Sequence, residues 1–157
     1  MHIVLVQPEI PQNTGSIART CAATGTPLHL VGKLGFEISE KRVRRAGLDY
    51  WPYVQLHRYE SWEEYLQVSP SQRHWFFSKY AKRLYHHADF GPNDALVFGS
   101  ETKGLGLEFL SSQPPECLLY IPMSCPHVRS LNLSNAVAIA LYEALRQSGA
   151  LGDLKSA

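Results

Sequence analysis

Short apolar runs, separated by turns and by amphipathic segments, set the pattern of this chain. The runs cover residues 2–6, 27–31, 74–78, 95–98 and 118–123. A short run that is apolar at nearly every position is typical of a strand buried on both faces of a sheet. The segments between the runs predict helices: from Asn13 or Thr14 to Gly25, from a capping box at Ser61 to Val68, a short one before Pro114, and a last one capped by Ser134 or Asn135 and ended by Ser148-Gly149. This alternation predicts an α/β fold, with a mostly parallel sheet and helices on both faces.

The segment 124–135 is polar, although it lies between two apolar elements. Polar groups in such a place need water, a ligand or the backbone as partners. The helix that follows is apolar nearly all round, so it has to be covered on more than one side. We expect the sheet on one side and a second subunit on the other. The alternative for the loop is that three residues only satisfy the turn and the helix cap: Ser130, Asn132 and Ser134.

A second polar loop, 99–106, is punctuated by glycines and directly follows the run 95–98. We expect this run and the run 118–123 to form a neighbouring parallel pair, with the end of 74–78 beside them. Open α/β sheets bind ligands at the carboxyl ends of their strands, so loops 99–106 and 124–135 should line one cleft. Neither loop contains a dinucleotide fingerprint or a P-loop, which argues against both of those ligand classes.

Arg19 projects away from the apolar arc of the first helix. On a helical wheel it lies about 130° from the centre of that arc. The arc consists of Ile17, Ala18, Cys21 and Ala22. Because Arg19 is near the polar segment 8–15, its guanidinium can point a permanently charged fork at an anion. The alternative is a solvated surface arginine.

Four positive charges in five residues form the densest charge cluster of the chain, and Ser39 can cap a short helix that carries them. They are Lys41, Arg42, Arg44 and Arg45. Such a cluster is either a solvated face or a local phosphate-binding surface. Aromatic residues follow that can belong to the core or stack on unpaired bases: Tyr50, Trp51, Tyr53 and Tyr59.

Composition limits the function classes. A length of 157 residues predicts one domain spanning 1–157, and a formal net charge of +1 argues against a wholly basic nucleic-acid binder. No signal peptide and no long apolar run are visible, so we expect a cytoplasmic protein without a membrane segment. The three cysteines lack C-x-x-C spacing and His86-His87 has no third ligand nearby, so no metal site is predicted.

Three stretches stand in a fixed order: PEIPQNTGSIARTCAATG, FGSETKGLG and IPMSCPHVRSLNLSNAVAIALYEALRQ. In this order and spacing they resemble the three motifs of the SPOUT superfamily of RNA methyltransferases, in its 2′-O-ribose branch. With KRVRRAGLDY between them, the chain is most similar to the minimal tRNA (cytidine/uridine-2′-O-)-methyltransferases, which modify the wobble nucleotide at position 34. The similarity runs from about residue 3 to residue 147.

The resemblance implies a fold, a cofactor and partners. The fold is a parallel α/β sheet whose C-terminal part forms a deep trefoil knot. S-adenosylmethionine (AdoMet) is bound in the knot and donates a methyl group to a ribose 2′-OH in the tRNA anticodon loop. The active form is a homodimer built through the C-terminal helix and the knot.

Residue roles follow from the resemblance by position. Cofactor binding is implied for Phe77, Gly99, Ile121, Ser130 and Leu131. Catalytic roles are implied for Asn13, Arg19, Ser130 and Asn132. Glu101 is implied to support its loop, and the flanking RNA backbone is held by Lys41, Arg42, Arg44 and Arg45.

Three other functions remain open from the sequence. One is a SPOUT-like binding module that holds RNA or AdoMet without transferring a methyl group. Another is a methyltransferase that acts on ribosomal RNA or on a base nitrogen, although the latter needs a carboxylate base that the ribose site lacks. The third is an unrelated doubly wound nucleotide enzyme, against which the missing phosphate fingerprints argue.

Overall fold

A single parallel sheet organises the protein. The computed structural model describes residues 1–36, 49–69 and 71–151. Within these residues seven parallel strands pair in the order β3-β2-β1-β6-β4-β7-β5. The strands are β1 (His2–Val6), β2 (Leu28–Val31), β3 (Leu56–Tyr59), β4 (His74–Phe77), β5 (Arg83–Leu84), β6 (Ala95–Phe98) and β7 (Leu118–Tyr120). The predicted fold class is confirmed.

The strands are connected by four α-helices among the described residues: α1 (Pro11–Thr24), α2 (Trp62–Val68), α3 (Leu107–Ser111) and α4 (Leu133–Gln147). Short 3₁₀ turns add Trp51–Tyr53, Tyr85–His87 and Pro115–Cys117. In the part of the chain that the structure describes, no helix is both long enough and apolar enough to cross a membrane.

Helices cover both faces of the sheet. In β1, Ile3 and Leu5 are fully buried in the cluster that contains the inner faces of α1 and α4. Val4 between them points to the opposite face, into a second cluster with Tyr65 of α2 and Leu110 of α3. Since alternate side chains of one strand enter two different cores, both sets must be apolar.

Strand β4 separates β6 from β7, so the expectation that those two strands pair directly is wrong. Phe76 of β4 is in register with Val97 of β6 on one side and with Leu118 of β7 on the other. A local sequence pattern marks consecutive parallel strands but carries no information about an earlier strand inserted between them. The carboxyl ends of all three strands still meet at one edge of the sheet. The trefoil knot stays a prediction.

Two helices begin earlier than predicted. Helix α1 starts at Pro11, because proline is well suited to the first turn, where its missing N–H has no helical partner. Helix α4 starts at Leu133 and is capped by Asn132, whose Oδ1 accepts a hydrogen bond from the backbone N–H of Ser134 at 2.9 Å. The predicted C-terminal end of α1 is confirmed, with Gly25 in the left-handed region at a φ of 64°.

Smaller differences concern one strand, one cap and one turn. Strand β7 ends before the predicted residue 123, because Pro122 has no N–H for the sheet ladder. The Ser61 hydroxyl accepts from the Glu64 N–H as predicted, but the Glu64 carboxylate accepts from the N–H of Glu60 instead of closing a capping box on Ser61. His86 and His87 belong to a short 3₁₀ turn.

Candidate active site

A cavity of about 850 Å³ opens at the carboxyl ends of β4, β6 and β7. Its walls come from the segments that follow these strands: 77–80, 98–106 and 120–136. The predicted cleft between loops 99–106 and 124–135 is therefore confirmed. Helix α1 adds one corner through Ile10 and Asn13, which line the same cavity.

Loop 99–106 is folded tightly on itself. Ser100 and Gly104 exchange two backbone hydrogen bonds, at 2.8 and 3.2 Å. A Cβ atom added to Gly99 would overlap the carbonyl of Gly104 and the amide of Leu105, so only glycine fits there without a backbone shift. Because Gly104 and Gly106 have positive φ angles of 63° and 80°, the loop shape depends on glycine at several points.

Glu101 in this loop holds the start of α1. Its carboxylate accepts hydrogen bonds from the backbone N–H groups of Glu9 (2.8 Å) and Ile10 (3.2 Å) and from Nδ2 of Asn13 (3.0 Å). Ile10 occupies the N-cap position but has no side chain able to cap. Glu101 therefore takes over this task from a distant part of the chain.

The same hydrogen bonds act on the ionisation of Glu101. Partial burial alone would raise the pKa of its carboxyl group. The donors on Asn13, Glu9 and Ile10 together outweigh burial, and the pKa lies below its ordinary value. Glu101 is thus held as an anion next to the helix N-terminus.

An amide pair joins α1 to α4. Nδ2 of Asn132 donates to Oδ1 of Asn13 at 2.9 Å. Oδ1 of Asn132 accepts from both the N–H and the hydroxyl of Ser134, at 2.9 and 2.6 Å. With Glu101 on its other end, Asn13 has both amide atoms engaged, and it is 7% exposed. This network of Glu101, Asn13 and Asn132 fixes one wall of the cavity.

All five residues with a predicted cofactor role line the cavity: Phe77, Gly99, Ile121, Ser130 and Leu131. Phe77 stacks on Phe98, with ring centroids 4.5 Å apart and planes 12° apart. That stack gives the cavity an aromatic wall at the ends of β4 and β6.

Arg19 is not in the lining of this cavity, although the predicted catalytic partners Asn13, Ser130 and Asn132 are. It lies on the exposed side of α1, as its place on the helical wheel predicts. Its guanidinium carbon is 4.6 Å from the centroid of the Tyr50 ring.

The remaining predicted residues have different outcomes. Lys41, Arg42, Arg44 and Arg45, with the helix predicted after Ser39, lie outside the described residues. Among residues 1–36, 49–69 and 71–151 there is no group of three His, Cys, Asp or Glu side chains arranged to hold a metal ion.

Sequence reasoning missed part of the cavity rim. Lys79 and Tyr80 line it directly after β4, and Tyr120 lines it at the end of β7. The rule that ligand sites follow the carboxyl ends of strands already marked the end of β4, so it could have identified the first two. The role of Thr102, whose hydroxyl donates to the Glu9 carboxylate at 2.8 Å, had no signal in the sequence.

Known proteins share this fold and sequence. A relative from Saccharophagus degradans, named tRNA (cytidine(34)-2′-O)-methyltransferase, is 45% identical over 97% of this chain and 98% of its own. A solved structure described as giving structural insights into the 2-OH methylation of C/U34 on tRNA is 48% identical, with a TM-score of 0.84, over 93% of this chain and 94% of that one.

A more distant solved structure contains a ligand. It is the SpoU methyltransferase AviRb from Streptomyces viridochromogenes in complex with the cofactor AdoMet, 26% identical with a TM-score of 0.78, and the match covers 94% of this chain and 60% of that one. The model of the SpoU rRNA Methylase family matches residues 1–142. Since this match takes in every strand and most of α4, the chain belongs to the SpoU rRNA methylase family.

Proposed function

We propose that this chain transfers a methyl group from AdoMet to the ribose 2′-OH of a cytidine or uridine at position 34 of tRNA. The observation that carries the proposal is the cavity at the ends of β4, β6 and β7, walled by the network of Glu101, Asn13 and Asn132. The relatives that share nearly the whole chain are named for this reaction.

The cavity residues fit AdoMet. A volume of about 850 Å³ is within the range of small-molecule sites. Phe77, Ile121 and Leu131 offer apolar cover for an adenine ring, and Gly99 contributes to the same lining. When bound, AdoMet supplies a methyl group on a sulfonium whose leaving group is neutral, so the displacement needs no metal.

The chain's own residues have to stabilise a weak nucleophile. Negative charge builds on the 2′-oxygen as its proton leaves, and a positioned cation lowers the energy of that state. We assign this role to Arg19, together with holding the neighbouring phosphate. A guanidinium is permanently protonated in proteins and does not accept a proton, so the proton leaves to water or to a phosphate oxygen.

Asn13, Ser130 and Asn132 complete the ribose site in this proposal. The two amides are already fixed by hydrogen bonds, so they offer a preorganised wall beside the ribose. Ser130 is exposed at the cavity and has its hydroxyl available for the substrate.

A homodimer is part of the proposal. The outer face of α4 exposes Ile139 (38%) and Tyr142 (48%), and residues 122–130 are all exposed, including Val128 at 49%. A second copy of the chain, packed on α4 and on the predicted knot, would cover these apolar groups. Arg19 is exposed and does not line the cavity of its own chain, and we propose that it acts at the cavity of the partner.

The anticodon loop suits such a site, because its nucleotides are already largely unpaired and can be turned outward at low cost. In this proposal the flanking backbone is held by the basic cluster Lys41, Arg42, Arg44 and Arg45. A tRNA substrate also supports a cytoplasmic location.

Methyl incorporation tests the function. Purified protein is incubated with methyl-labelled AdoMet and either total tRNA or ribosomal RNA, and ribose methylation is mapped by mass spectrometry. We expect label in tRNA at position 34, and loss of that modification from cells that lack the gene. Label confined to ribosomal RNA would show that the substrate is ribosomal RNA and not tRNA. AdoMet binding without methyl transfer would indicate a binding module.

A further inference from the structure

The Arg19 side chain contacts the ring of Tyr50. The guanidinium carbon lies 4.6 Å from the ring centroid, which is cation–π geometry. Within the described chain Arg19 makes no side-chain hydrogen bond and no ion pair. This contact leaves the N–H donors of Arg19 available to an anion.

Tyr50 is itself held to the helix that carries Arg19. Its hydroxyl donates to the backbone carbonyl of Gly15 at 2.9 Å, one helical turn before Arg19. On the other side, its carbonyl accepts from the N–H of Tyr53 at 3.0 Å and opens the turn Trp51–Tyr53. The ring is half-buried against the core cluster that contains α1. Tyr50 is thus fixed at both ends and lies along α1.

This arrangement restricts the conformational freedom of an exposed arginine side chain. A free Arg19 side chain samples many rotamers. Fixing one of them in the transition state costs conformational entropy, which raises the barrier to methyl transfer. A ring anchored to the same helix removes rotamers that turn the guanidinium toward the surface of α1. An exposed cation–π contact corresponds to about a two- to fivefold preference for the stacked state.

We propose that Tyr50 is a positioning residue, which holds the Arg19 guanidinium with its N–H edge toward the RNA ribose and phosphate. This inference rests on the proposed function. Tyr50 acts through Arg19 and does not itself contact the reacting atoms. The sequence suggested two roles for this aromatic residue, core packing and base stacking, and the geometry adds this third one.

The test is a double-mutant cycle, measured as single-turnover methyl transfer to tRNA at saturating AdoMet. Tyr50→Leu removes the ring, whereas Tyr50→Phe keeps the ring and loses only the hydrogen bond to Gly15. Each variant is made in two backgrounds, one with Arg19 and one with Arg19→Ala. We expect Tyr50→Leu to slow transfer about fivefold with unchanged AdoMet affinity, and Tyr50→Phe to slow it less. In the Arg19→Ala background Tyr50→Leu should have no further effect.

Tyr53→Leu serves as the comparison, since Tyr53 is a tyrosine in the same turn and is 73% exposed. Any effect it has should be the same in both backgrounds. An equal loss for Tyr50→Leu in both backgrounds would overturn the inference in favour of base stacking. If Tyr50→Leu does not fold, the same cycle with Tyr50→Phe and Tyr50→Met decides. If the wild-type protein does not methylate tRNA, the proposed function is refuted, and this inference is refuted with it.

Discussion

Asn132 uses its two amide atoms for different tasks. Its oxygen caps α4 and its nitrogen donates to Asn13. Asn132→Asp keeps the capping oxygen but loses the donor, so we expect the free energy of unfolding to stay within about 1 kcal/mol of wild type. Methyl transfer should fall about tenfold or more, because the wall beside the ribose is no longer fixed.

Chemical denaturation and single-turnover rates check this prediction. Asn132→Ala is the comparison, because it loses both contacts and should also lose about 0.5–2 kcal/mol of stability with the cap. Full activity of Asn132→Asp would show that the bond between the two amides does not orient the site.

Arg19 is predicted to act on the transition state alone. Arg19→Ala should lower the rate of transfer by about 10²–10³, as the loss of a donor to a developing oxyanion typically does. AdoMet affinity should be unchanged, since the proposed partners of Arg19 are the ribose and phosphate of the RNA and not the cofactor. Calorimetry measures that affinity, and a large loss would refute the role. Arg19→Lys keeps the charge but loses the forked guanidinium, so its rate of transfer should lie between those of wild type and Arg19→Ala.

At the scale of elements, loop 99–106 holds the cavity open by close backbone contact. Gly99→Ala forces the backbone at Gly104 and Leu105 to move, so we expect at least a tenfold loss of AdoMet affinity and about 1–3 kcal/mol of stability. Ser100→Ala in the same loop loses only a 3.3 Å contact to the N–H of Lys103 and should bind AdoMet within about threefold of wild type. Equal affinities for the two variants, measured by calorimetry, would contradict this view of the loop.

The elements also show what the sequence could and could not predict. The run 95–98 is apolar at every position because both faces of the strand are buried. The apolar run therefore coincides with the strand, and its bounds were predicted correctly. The cap of α4 was missed because several polar residues compete there, and only the bond to Asn13, distant in the chain, makes Asn132 the favoured one.

Long-range order was harder to predict. Nothing in the run 74–78 shows that β4 is inserted between two later strands. The contact of Glu101 with the start of α1 joins residues about 90 positions apart, and no sequence pattern predicted it. The family resemblance implied only that Glu101 supports its own loop. The stack of Tyr50 on Arg19 was not predicted at all, because an aromatic residue in a loop has several possible partners.

At the scale of the whole molecule, a row of neighbouring histidines under α2 lowers the stability of the fold at acid pH. The rings of His2 and His29 are 4.3 Å apart, and His57 extends the stack at 4.6 Å from His29. Burial, followed by the nearby amino terminus and other histidines, lowers the pKa of His2 to about 4. Burial and the neighbouring His2 and His57 lower the pKa of His29 to about 3.

The direction of the pH effect follows. Below the ordinary pKa of 6.5 the unfolded chain binds protons that the folded chain refuses, so stability falls as the pH drops from about 6.5 toward 4. The loss for His2 alone is about 3 kcal/mol. His29→Phe keeps a ring in the stack and should flatten this acid limb in denaturation curves, whereas the exposed and distant His87→Phe should not. An unchanged limb in His29→Phe would refute the assignment.

The dimer is tested on the outer face of α4. Ile139→Asp with Tyr142→Asp places charges on an exposed surface, so the fold should persist while a dimer dissociates. We expect sedimentation to show dimers for the wild type and monomers for the variant, and methyl transfer to be lost because Arg19 no longer reaches the partner's cavity. A wild-type monomer with full activity would contradict the proposed assembly.

The central claim concerns one hydroxyl group. Two tRNAs that are identical except for a 2′-deoxyribose at position 34 are incubated with the protein and methyl-labelled AdoMet, and the incorporated label is measured. The proposed reaction predicts one methyl group per tRNA with the ribose and none with the deoxyribose. Equal labelling of both tRNAs would place the reaction at another atom and contradict the account.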